Sequence, residues 1–130
     1  MSEIGKKIWI FPDAYLPAVG NPYKTSSSGD QYSHESLCIV NYSLTNANLV
    51  VDFLYEDEKP IENYKTIIEA KKSLHLRLDN ITVKGMNLPR EKPYSIVLKS
   101  DTKIVAQLSR LDTTSQYNSF MTAMGWGTDV

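Results

Sequence analysis

Residues 72 to 78, Lys-Ser-Leu-His-Leu-Arg-Leu, alternate apolar and polar side chains without a break. This constrains the chain more than any other stretch. A period of two fits a strand with one face on a core and fits no helix. Leu74, Leu76 and Leu78 point one way, and Ser73, His75 and Arg77 the other. The rest of the sequence has the same grain. β-Branched and aromatic residues come in short runs between turn signals, and helical periodicity is weak throughout. That spacing predicts an all-β sandwich or barrel.

Residues 7–11 form the first predicted strand, which Pro12 ends. Pro12, Pro17, Gly20 and Pro22 then mark an irregular segment that continues through the Ser-rich residues 25–30. A segment of about 20 residues without regular structure is functional or mobile in a compact domain. Residues 36–41 and 48–55 are the next strands. In the second of these, Leu49, Val51, Phe53 and Tyr55 share one face and Asp52 takes the other. Residues 56–60 read as a charged, solvated turn. Residues 64–68 are expected to pair with 72–78, and 79–92, with Gly85 and Pro89, to form a loop. Residues 94–100 and 104–111 read as a hairpin about Asp101-Thr102-Lys103. Residues 118–126 are apolar for a terminus, which suits a last strand or a subunit contact.

At 130 residues the chain suits a single domain, residues 1–130, large enough for a two-layer core. Its formal net charge of -1 argues against a general nucleic-acid binder, which needs a basic excess. Weak DNA binding would require a basic patch on one face. Cys38 is the single cysteine, sits in an apolar run and reads as a buried thiol. Residues 1–7 are polar and unlike a signal peptide, and no apolar run approaches the ~20 residues of a membrane span. The expectation is a soluble, cytoplasmic protein.

Two polar stretches stand out: Ser33-His34-Glu35 entering an apolar strand, and Arg110-Leu111-Asp112 ending one. Arg110 and Asp112 share a face with Ala106 and Leu108, so an apolar face turns charged at its end. Arg110 can engage a carboxylate bidentately, and Glu35 is the available partner, as a fold-fixing pair or as part of a ligand site. His34 and Glu35 are neighbours in a strand and point to opposite faces, so they form no dyad. His75 alternates onto the polar face with Arg77. Ser33, His34 and Asp112 could be assembled into a nucleophilic set, but no nucleophile-elbow motif supports it. Two histidines and one cysteine lack zinc-ligand spacing, and no glycine loop cradles phosphate. The expectation is no catalysis, no metal and no cofactor. Trp9, Tyr15, Tyr23 and Tyr32 gather in the first third. Aromatic faces with Asp, Glu, Arg and Asn nearby suit a sugar ligand, or else the rings simply anchor the β-core and the loop.

Several blocks together resemble the sensory rhodopsin transducer family. They include Trp9, Tyr15-Leu16-Pro17, residues 33–41, Tyr55, Pro60, Tyr64, Ala70, His75-Leu76-Arg77 and Leu88-Pro89-Arg90. Tyr94-Ser95, Ser100-Asp101, residues 107–113 and the tail through Trp126 complete them. The resemblance implies an antiparallel β-sandwich of jelly-roll type assembling as a homotetramer. It implies a soluble signalling partner of a membrane photoreceptor, or a small-molecule-binding domain with sugars or related metabolites as ligands. The positions it carries over are Trp9, His34, Glu35, His75, Arg77, Gln107, Arg110 and Asp112. The chain departs from the family pattern at Asp13-Ala14, at Lys103 and in the longer, Ser-rich segment 21–31.

Overall fold

The computed structural model describes residues 4–25 and 29–130. Residues 1–3 of the polar start and 26–28 of the Ser-rich segment lie outside the described residues. The described residues contain strands and no helix, and no helix is therefore long and apolar enough to cross a membrane. The strands in chain order are β1 (Lys6–Tyr15), β2 (Tyr23–Thr25), β3 (Gly29–Gln31), β4 (His34–Asn41), β5 (Ala47–Tyr55) and β6 (Ile61–Ile68). They continue with β7 (Lys72–Arg77), β8 (Thr82–Val83), β9 (Met86–Asn87), β10 (Pro93–Asp112), β11 (Ser119–Met124) and β12 (Trp126–Thr128).

β10 organises the architecture. Its first half pairs with β1 and β5, and its second half with β4 and β11. β12 and β6 extend the first sheet, and β7 the second. The result is an antiparallel β-sandwich whose two layers share one strand. Tyr94, Ile96, Leu98, Ile104, Ala106 and Leu108 line its buried side, so the inward parity holds from one sheet into the other. Against them pack Phe11, Leu49, Val51 and Phe53 from one layer and Leu37, Ile39 and Leu76 from the other, in one cluster.

Four expectations are corrected. Residues 94–111 form no hairpin; Asp101-Thr102-Lys103 lies inside a continuous strand. It lacks the Gly or Asn at positive φ that a tight hairpin turn requires, and Asp101 instead accepts from Asn48 N at 2.9 Å and Asn48 Nδ2 at 2.7 Å. β6 and β7 do not pair; β6 joins β5 and β7 joins β4, so the connection through Lys71, at φ 60°, crosses between layers. β1 does not stop at Pro12. A register shift between Phe11 and Ala14 absorbs the residue without an N–H, and Pro12 O accepts from Ser95 Oγ at 3.0 Å. Cys38 is half-buried, because Leu37 and Ile39 on either side take the inward positions.

Smaller features fill the expected loops. Lys84 and Gly85, at φ 52° and 82°, make a two-residue turn of type I′ between β8 and β9. β2 and β3 pair within the Ser-rich segment. The tail supplies two strands, one to each sheet, and Gly125 is the switch. A Cβ there would lie 2.7 Å from Phe11 Cε1 and 2.9 Å from Ile10 O. Phe120, Met124 and Trp126 remain exposed.

Candidate functional site

At the inner end of β4, Glu35 is fully buried yet fully partnered. Its Oε1 accepts from Tyr94 Oη at 2.5 Å, and its Oε2 from Tyr15 N at 2.9 Å and Arg110 Nε at 3.1 Å. Glu35 and Arg110 are directly opposite in the β4/β10 register. The irregularity at Pro12 completes this network, because it turns the carbonyl of Asp13 to accept from Arg110 Nη2 at 3.0 Å. A buried ion pair needs such additional hydrogen bonds to offset its desolvation. Burial, and then the charge and hydrogen bond of Glu35, push the Tyr94 hydroxyl well above its ordinary pKa. Tyr55 stacks on Tyr94 with ring centroids 5.4 Å apart. Its hydroxyl is buried without a hydrogen-bond partner, and burial followed by the charges of Glu58 and Glu35 raises its pKa to about 12.

The opposite face of the same sheet looks outward. The registers set His75, Cys38, Gln107 and Met124 in one row and Arg77, Ser36, Ser109 and Thr122 in the next. His34, Leu111 and Phe120 form a third row. His34 Nδ1 lies 2.7 Å from the carbonyl of Tyr32, which can only accept, so Nδ1 carries a proton and Nε2 faces away from that bond. Beyond Phe120, a groove of ≈ 460 Å³ is lined by Tyr23, Leu111, Gln116, Tyr117, Asn118 and Phe120.

His34, His75, Arg77 and Gln107 thus share one outward face. Glu35 and Arg110 lie on the inward side of the same strands. Trp9 belongs to the other sheet, where its indole Nε1–H is shared between Ile104 O at 3.0 Å and Lys6 O at 3.1 Å. Asp112 closes a turn, its Oδ1 accepting from Thr114 N at 2.9 Å and Thr114 Oγ1 at 2.6 Å. The eight positions therefore do not converge on one pocket. Among the described residues no group of three or more His, Cys, Asp or Glu side chains could hold a metal ion.

Asp79 and Arg90 join Arg77 in one ion-pair cluster that the outward alternation alone does not reveal. Arg77-Leu78-Asp79 repeats the Arg-Leu-Asp of residues 110–112. It is at 77–79 that the i, i+2 geometry closes into a bidentate pair, with Arg77 Nε to Oδ1 at 2.8 Å and Nη2 to Oδ2 at 2.7 Å. The signal was present in the repeated triplet.

The fold defines a small antiparallel β-sandwich, one sheet face of which carries the outward polar rows. The model of the family described as Anabaena sensory rhodopsin transducer matches residues 4–127, and the chain belongs to that family. The crystal structure of Thermotoga maritima 1070 superposes with a TM-score of 0.82 at 38% identity, covering 97% of each chain. The Anabaena sensory rhodopsin transducer superposes with a TM-score of 0.71 at 27% identity, covering 85% of this chain and 92% of its own. No curated protein sequence matches the chain.

Proposed function

We propose that this protein is a non-catalytic, transducer-like module that takes a small polar ligand, a sugar, on the outward face of the β11–β10–β4–β7 sheet. The observation that carries this reading is the groove beside His34. Tyr23, Tyr117 and Phe120 offer ring faces to sugar C–H surfaces, and the amides of Gln116 and Asn118 offer hydrogen bonds to hydroxyls. The Glu35–Arg110 network, by contrast, has its hydrogen bonds made internally and supports the face from beneath. A thermal-shift screen of sugars and central metabolites tests the reading. A sugar should raise the unfolding midpoint, and Tyr117→Ala should remove that response while leaving the free protein's midpoint in place, since Tyr117 is 78% exposed. A screen in which no sugar or metabolite moves the midpoint defeats it.

Similarity to the Anabaena sensory rhodopsin transducer favours a second reading, a signal transducer docking to a membrane receptor. A pull-down from host membranes that recovers no receptor counts against it. The assembly we propose is a homotetramer. Its subunit contact uses the Met124 and Trp126 end of the tail, 58% and 63% exposed, and leaves Phe120 to the groove. Light scattering that returns a monomer at micromolar concentration overturns that.

A further inference from the structure

We infer that the corner where β7 ends and β4 begins is an oxyanion subsite, so that the ligand of the adjoining groove is an anionic one, carrying a carboxylate or a phosphate. The inference rests on the ligand-binding reading above and adds the charge of the ligand to it.

Two guanidiniums share one carboxylate here. Arg77 grips Asp79 bidentately, and Arg90 Nη2 approaches the same Oδ2 at 3.8 Å. Arg90 is held from the other side, its Nη1 donating to Pro17 O at 2.8 Å and Ser33 O at 3.2 Å. The acid lies beneath and the bases above it: the Asp79 side chain is 8% exposed, those of Arg77 and Arg90 34% and 28%. One guanidinium would neutralise Asp79, so the second leaves an excess positive charge facing solvent, in a protein whose formal net charge is -1. Arg77 directs Nε and Nη2 at Asp79 and has further N–H groups on Nη1 and Nη2. The carboxylate thus fixes the Arg77 fork, and the carbonyls of Pro17 and Ser33 hold Arg90 beside it, before any ligand arrives; pre-organisation of this kind favours capture of an oxyanion. Along the sheet the order is the Arg77–Arg90 corner, His34, Leu111 and the aromatic groove. A ligand with a ring in the groove and an acidic group toward the corner would span two to three strand spacings, about 10–14 Å.

Calorimetric titration of the full chain with glucose, glucuronate, glucose 6-phosphate and inorganic phosphate tests this. At least one acidic sugar should bind about tenfold or more tighter than glucose, the value of one charge-assisted hydrogen bond. Comparison of glucuronate with glucose 6-phosphate separates carboxylate from phosphate. The advantage should vanish in Arg90→Gln, which removes the excess positive charge, and should fall in the pair Arg77→Gln/Asp79→Asn, which keeps the net charge but removes the pre-organised fork. Arginine Nε–Hε resonances should report the contact directly in the unaltered protein. Equal affinity for glucose and both acids overturns the inference and leaves the ligand-binding reading standing. Phosphate binding at these arginines, with no sugar bound, upholds the anion subsite and defeats the sugar reading. No binding of any probe defeats both.

Discussion

Single side chains divide here into those that hold the sandwich together and those that face outward from it. Arg110 belongs to the first group. Arg110→Ala would leave the Glu35 carboxylate buried with two of its three donors, and breaking one side of a buried pair costs about 3–5 kcal/mol. Denaturant unfolding should show a loss of that size. A fully stable Arg110→Ala protein that no longer responds to ligand would instead place Arg110 in the binding site. The stacked tyrosines make a sharper pair. Tyr94→Phe strands Glu35 Oε1 and should destabilise by about 1–3 kcal/mol, whereas Tyr55→Phe removes an unpartnered buried hydroxyl and should be neutral or stabilising. Equal effects of the two substitutions in calorimetry would contradict the hydrogen-bond assignment.

Among the elements, β10 and the tail carry the connectivity. β10 belongs to both sheets, so damage at its middle is felt in both layers, and the tail repeats that crossing at Gly125. No side chain fits at Gly125, since its Cβ would press on the Phe11 ring and the carbonyl of Ile10. Gly125→Ala should therefore detach β12 from β1 and expose the amides of Ile8 and Ile10. Hydrogen exchange would show this as lost protection in residues 126–128 with the β4 and β5 amides unchanged. Unaltered protection at β12 would mean that Phe11 yields instead. β6 shows the opposite concern, an open sheet edge. Asn63, at φ 71°, breaks the ladder there, and its N–H donates to Asp52 Oδ1 at 3.0 Å, while Lys99 Nζ pairs with Asp52 Oδ2 at 3.0 Å. An interrupted, charged edge resists pairing with another chain.

For the whole molecule, pH acts from both ends. The folded pKa of Tyr55 stands at about 12, above its ordinary value near 10. A raised folded pKa gives stability that is fully present below the unfolded value and is lost as pH rises through the folded one. Tyr94 is shifted in the same direction. Stability should therefore fall from about pH 10 upward, with these two of the eight tyrosines ionising late and together with unfolding. Tyrosinate absorbance followed alongside circular dichroism checks this; independent titration of all the tyrosines in a folded protein would refute it. Asp79 works at the acid end. Burial alone would raise its pKa, but the hydrogen bonds and charge of Arg77 overcome that and hold it below the usual carboxylate range. Its contribution is present above the unfolded pKa and disappears as pH falls through the folded one.

Local alternation determined a good deal by itself. It set Leu49, Val51 and Phe53 on one face and His34 and Glu35 on opposite faces, and the need of Arg110 for a carboxylate offered Glu35 as its partner. These follow from a two-residue period and from the cost of an unpaired buried charge, both of which are written in the order of residues. The family resemblance, carried by dispersed motifs, was legible in the same way. Strand pairing was not. Whether β6 meets β7, whether 94–111 folds back, and whether Pro12 ends a strand all depend on which distant segment supplies the next row of hydrogen bonds. The two Arg-Leu-Asp triplets show the same limit. The sequence spacing is identical, yet Asp79 holds Arg77, while Arg110 turns to Glu35 and leaves Asp112 to cap a turn. The packing of distant strands chooses between them, because a guanidinium goes to the carboxylate that the fold has desolvated beside it.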